Sequence, residues 1–180
     1  MQETLLDILK YTIPGVVVLV AVVLIVNKFL IKETEMKRMS IFAKQSDTAL
    51  RLRLQAYERL TLCVERMHPR SLISRLYQQD LSVQDLQLQM VQTIRAELEY
   101  NMSQQLYVSH EVWQTIRAVA EQEIAMINRV AASCAMGEPA NVLVKKITEH
   151  ILTSETTMPT DIALEALNRE AKFALFPPQA

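Results

Sequence analysis

From Ile13 to Val26 the chain carries no charged residue and consists mostly of Val, Leu and Ile. With Tyr11-Thr12 before it and Asn27 to Ile31 after it, the stretch covers 11–31 and includes one charge, Lys28. A helix crosses the hydrocarbon core of a bilayer with about 20 mostly apolar residues. The expectation is therefore a single transmembrane helix over 11–31, with everything beyond Lys32 hanging from it.

A cleaved signal peptide needs a basic start, a shorter apolar run and a small-residue cleavage site. Here the start, Met1-Gln2-Glu3-Thr4-Leu5-Leu6-Asp7, is acidic, and the run ends in Asn27-Lys28-Phe29-Leu30-Ile31-Lys32 with no small pair to cut. An uncleaved anchor fits better. Residues 1–10 are expected to be short and outside or interfacial, with Pro14 in the first turn of the run, where a missing N–H costs little. The N-terminal flank holds Lys10 alone, whereas the other flank holds Lys28, Lys32, Lys37, Arg38 and Lys44. The positive-inside rule puts that second side in the cytoplasm. Cys63 and Cys134 would then face a reducing compartment and stay thiols.

Glycine occurs only at Gly15 and Gly137, which argues against phosphate loops, nucleotide-binding turns and tight hairpins. The rest is rich in the helix formers Leu, Ala, Gln, Glu and Arg. Charge is uneven: 28–75 holds 11 Lys/Arg against 5 Asp/Glu, and 76–180 holds 7 against 13. Two readings are open. The basic segment 28–75 could attract an anionic leaflet, or basic and acidic helices could pack on one another.

Helical spacing organises the chain beyond the anchor. Met36, Met39, Ala43, Ser46, Leu50, Leu54, Tyr57, Thr61 and Val64 form one stripe, with Ser40 and Ser46-Asp47 as places where it could break and Pro69 as its end. That gives a basic stalk and first soluble helix over 32–67. Ser82-Val83-Gln84-Asp85 resembles a capping box, followed by Val83, Leu86, Met90, Ile94 and Leu98 on a helix reaching about Met102. Ser109 caps a helix with Trp113, Ile116, Ala120, Ile124, Ile127, Ala131 and Cys134 on one side, and Gly137 fits its stop. Pro139 and Pro159 each begin a further helix, and Pro177-Pro178 close the order. The fold class is all-α: an N-terminal transmembrane helix, then a cytoplasmic antiparallel bundle of four to five helices over 68–176, with 177–180 a disordered tail.

No residue set carries familiar chemistry. His68, His110 and His150 lack metal-ligand spacing to one another or to Cys, and Cys63 and Cys134 read as small buried residues. No metal, cofactor or nucleic acid is expected, and the chain is not expected to be an enzyme. Two polar clusters are candidates for interaction. The first is Arg51, Arg53, Glu58, Arg59, Glu65 and Arg66, where Arg51, Glu58 and Glu65 are seven apart and share a face, Arg59 and Arg66 form a neighbouring row, and these rows allow ion-pair ladders to a partner helix. Its plainer alternative is a solvated face with routine ion pairs. The second is Glu97, Asn101, Gln104, Gln105, Tyr107 and Trp113. Glu97 and Asn101 lie beside the buried stripe, where they would satisfy free backbone groups of a helix–helix turn, with Tyr107 and Trp113 packed beneath; a ligand site is the alternative.

Arg53-Leu54-Gln55-Ala56-Tyr57-Glu58-Arg59, Glu65-Arg66, Pro69 and Arg75, with Glu97, Asn101, Gln104-Gln105, Tyr107-Val108-Ser109 and Trp113, resemble an uncharacterised family of single-span, all-helical inner-membrane proteins of Bacteroidota-type bacteria. The resemblance runs from the anchor to the last helix. It implies a bacterial inner-membrane location and supplies no activity or catalytic residue. The functional expectation is a cytoplasm-facing adaptor or scaffold that binds an unknown protein partner. An anionic-lipid-binding or homo-oligomeric membrane-organising module using 28–75 is the alternative. An enzyme with an unfamiliar site near Glu97, Asn101 and Tyr107 comes third.

Overall fold

The structure, a computed structural model, describes residues 2–153 and 158–176; within the first helix the side chains of 2–18, 20, 21, 40, 42 and 43 lie outside the description. The tail expected over 177–180 and 10 of the 21 residues of the anchor expected over 11–31 therefore fall outside the described side chains. Among the described residues the elements are α1 (Gln2–Met67), α2 (Pro69–Leu76), α3 (Val83–Tyr100), a 3-10 turn (Met102–Leu106), α4 (His110–Ala132), α5 (Ala140–Thr153) and α6 (Pro159–Leu175).

The all-α expectation holds, with six α-helices. The unforeseen helix is α2, whose eight residues are too short to show a periodic stripe. His68 and Met158 explain where helices start. Each precedes a proline, whose ring disfavours the helical region for the residue before it. Their ψ angles are 133° and 142°, so α1 ends at Met67 and both Pro69 and Pro159 occupy a first helical turn. Ser40 and Ser46-Asp47 do not interrupt α1.

The chain divides into two compact units, 1–49 and 50–180. In the first, Leu19, Ile25 and Phe29 expose 65%, 68% and 66% of their surface. Among the described residues no helix is long and apolar enough to cross a membrane.

The second unit is the bundle. Its boundary lies before Leu50 rather than after Met67, because the last turns of α1 belong to its core: Ala56, Leu60, Cys63, Val64 and Met67 are buried there. Facing them are Leu72 of α2, Leu86, Met90 and Ile94 of α3, Ile116, Ala120 and Ile127 of α4, Leu143 and Ile147 of α5, and Ala163 and Leu167 of α6. Each fully buried Leu or Ile contributes roughly 1.5–3 kcal/mol. α4 packs chiefly on α3 and α6, and α3 also on α5 and α2. Gln87 donates to Asn128 at 2.9 Å across the α3–α4 pair.

Ser82 makes the capping box with Asp85, and Ser109 caps α4 by accepting from Val112 N–H. Asp85 titrates below the usual range because its carboxylate accepts from the Ser82 hydroxyl and N–H. Gly137 does not stop α4, which ends at Ala132; it sits in the following turn at φ +80°. Pro139 lies just before α5 and pairs with Ser82 in an isolated antiparallel bridge. Val83 N–H donates to Glu138 O and Ala140 N–H to Leu81 O, both at 2.9 Å. The starts of α3 and α5 are thereby clasped together.

Candidate functional site

The two polar clusters meet at one carboxylate. Arg66 Nε lies 2.8 Å from Glu97 Oε1 and Arg75 Nη1 lies 3.5 Å from the same oxygen. Arg75 Nη2 also donates to the Arg66 carbonyl at 2.6 Å. The break at His68-Pro69 redirects the chain so that cations from α1 and α2 reach a single acid on α3. Glu97 thus serves the α1–α2 corner, not the α3–α4 turn expected for it, because two guanidiniums attract its side chain. Asn101 does serve that turn. It is buried, and its amide donates to the Glu97 carbonyl at 2.9 Å. The Cys63 thiol approaches the same carbonyl at 3.5 Å. Burial, with Glu97 nearby, pushes the Cys63 thiol up to about 12. Gln104 is buried and donates to Ser103 Oγ at 3.2 Å. Trp113 is buried, Tyr107 is half-buried and Gln105 is exposed.

The first cluster is split by the fold. Arg53 donates to Tyr57 Oη at 2.8 Å, and Tyr57 donates to Glu170 Oε1 at 2.9 Å. Glu170 was not foreseen. From α6 it also accepts Ser109 N–H at 2.8 Å and the Ser109 hydroxyl. A carboxylate is well placed there, because the N-terminus of α4 carries free N–H groups and partial positive charge. The available signal was its position three residues after buried Leu167. Burial, then Glu170, raises the Tyr57 hydroxyl above its ordinary range. Arg59 stacks over the Tyr100 ring, 5.3 Å from its centroid. Basic α1 and α2 thus meet acids of α3 and α6.

Arg51, Glu58 and Glu65 remain on the outside of α1. Glu58 and Glu65 edge a groove of about 450 Å³ between α1 and α6, whose walls include Leu54, Tyr57, Leu164 and Leu167. Leu62, between the charged rows, is 55% exposed.

Two buried polar groups have no hydrogen-bond partner among the described residues: Glu123 Oε1 on α4 and Thr160 Oγ1 on α6. Burial raises Glu123 to about 7. It interrupts the apolar stripe at the position between Ala120 and Ile127, which the choice of Ile124 for that stripe passed over. His68 caps α2 through Nδ1, 3.1 Å from Arg70 N–H; burial, then Arg70, lowers it. Among the described residues no group of three or more His, Cys, Asp or Glu could hold a metal ion.

Comparison with curated proteins finds no match, and neither does comparison with solved structures. The model of DUF7935, a family of unknown function, matches residues 3–174, and the chain belongs to that family.

Proposed function

We propose that this chain is a non-catalytic helical interaction module held to a bacterial inner membrane by residues 11–31, with its bundle on the cytoplasmic side. The uncharged run from Ile13 to Val26 supports the anchor, as do the exposed Leu19, Ile25 and Phe29. Contiguous apolar surface without protein cover marks a membrane or partner contact. The excess of Lys and Arg just after the run supports the orientation.

One observation carries the interaction reading: the outer side of α1 keeps an exposed Leu62 between charged rows, beside a groove with apolar walls and an acidic edge. The lipid-binding alternative is weakened at its distal end. Arg53, Arg66 and Arg75 are engaged by Glu170 and Glu97, and Arg59 lies over Tyr100.

The test is cross-linking in intact cells, followed by membrane extraction and identification of what co-purifies. Recovery in the membrane fraction with a reproducible protein cross-link through α1 is the expected result. Recovery in the aqueous fraction would remove the anchor. A membrane-bound chain that cross-links to no protein, itself included, would remove the adaptor.

A further inference from the structure

We infer that the outer face of α1 pairs with the same face of a second copy, parallel and in register. This rests on the interaction-module reading and names its partner. Glu58, Leu62, Glu65 and Arg66 are exposed and Arg59 half-buried. Successive residues of an α-helix turn by about 100°. On that wheel Glu58 and Glu65 fall within about 20° of one another on one side of Leu62, and Arg59 and Arg66 fall within about 20° on the other. Each row stands about 50° from Leu62, and its two members are about 10 Å apart along the axis. The face is an apolar centre between an acidic edge and a basic edge.

Such a face is complementary to itself in one direction only. A twofold axis parallel to the helices sets the basic edge of each copy against the acidic edge of the other. Arg59 then meets Glu58 of the partner subunit and Arg66 meets Glu65 of the partner subunit. Each pair is offset by one residue, about 1.5 Å, and Leu62 meets its own counterpart. Antiparallel pairing instead sets acid against acid and base against base, which costs free energy.

The intramolecular contacts leave room for these pairs. Arg66 meets Glu97 through Nε, and a guanidinium has five N–H donors. Arg59 presents its face to Tyr100 and keeps its edge for a carboxylate. Neither Glu58 nor Glu65 has a salt bridge or side-chain hydrogen bond among the described residues.

The test uses the full chain, in membranes and in detergent. Leu62→Cys, with Cys134→Ser, should cross-link to itself under mild oxidation; Cys63 stays out of reach because it is 1% exposed. By light scattering the detergent-extracted protein should have twice the protomer mass. Glu58→Arg alone and Arg59→Glu alone should each weaken association roughly tenfold by placing like charges together. The double variant Glu58→Arg/Arg59→Glu should recover most of it, with thermal unfolding reporting that each variant is folded. Protomer mass at all concentrations would overturn the pairing, and so would a dimer indifferent to both single reversals. Preferential cross-linking of Glu58→Cys to Glu65→Cys would also overturn it, because that acid-on-acid contact belongs to the antiparallel arrangement. If a monomeric chain still captures a different protein through α1, pairing falls and the interaction module stands.

Discussion

Tyr57 on α1 donates its hydroxyl hydrogen to Glu170 on α6 at 2.9 Å, across 113 positions of sequence. The same carboxylate holds the Ser109 N–H, so one side chain ties the entry of α1 into the bundle, the start of α4 and the last turns of α6. This junction is half-sheltered, with the Glu170 side chain 16% exposed, so its hydrogen bonds are less screened than those of a surface pair.

Glu170→Gln should lower stability by about 1.5–3 kcal/mol, the range for hydrogen bonds to a charged group. Tyr57→Phe should cost about 1 kcal/mol. In a double-mutant cycle the two losses should fall short of additive by at least about 0.5 kcal/mol. Urea unfolding followed by fluorescence of Trp113, the single tryptophan, measures all three. Strict additivity would show that the two groups do not interact in solution.

Glu123 imposes a pH dependence of definite sign. Its folded pKa is raised from 4.5 to about 7, so between those values the folded state holds a proton that the unfolded state has released. Stability should therefore fall as pH rises through that window and level off above it, by on the order of 3 kcal/mol in all. Glu123→Leu should be the more stable protein at pH 8 and lack this slope. His68 acts in the opposite sense. Its lowered pKa means that stability is lost as the pH falls below the usual histidine range. A difference in denaturation midpoint between the wild type and Glu123→Leu that stays constant from pH 5 to 8 would contradict this account.

Thr160→Val removes a buried hydroxyl that has no partner among the described residues and keeps the shape of the side chain. It should stabilise the bundle by about 1 kcal/mol, the cost of an unmade buried hydrogen bond. A loss of stability would mean that the hydroxyl is satisfied.

The two cysteines should differ in reactivity. Cys63 is buried with its thiol pushed up to about 12, whereas Cys134 is half-exposed. At pH 8 iodoacetamide should alkylate Cys134 at least about tenfold faster in the folded protein, since the thiolate is the nucleophile. Equal rates would mean that the α1–α3 contact opens readily.

Local rules were strongest where one residue decides the backbone. Ser82, Ser109, Pro69 and Pro159 could be read directly, because capping and the proline ring act within a turn. The stripes of α3 and α4 were legible for a similar reason, since Val83 to Ile94 and Trp113 to Ala131 repeat at helical spacing over several turns. The eight residues of α2 complete barely two turns, so no stripe could announce them. Glu170 and Arg75 were missed as partners because their meanings arise from α6 meeting α4 and from α2 folding back on α1. Glu123 was hidden by a neighbouring isoleucine one position away. Of the first cluster, the sequence could show which residues share a face but not which of them the bundle would occupy.

The position of Glu170 in the chain bears on when the bundle can close. At about 5–20 residues per second of synthesis, roughly 6–20 s separate the emergence of Tyr57 from that of Glu170. Throughout that interval the apolar side of α1 lacks α6, and over its last 61 residues the start of α4 lacks its carboxylate. The nascent bundle stays open until α6 is made, and the last helix acts as the latch.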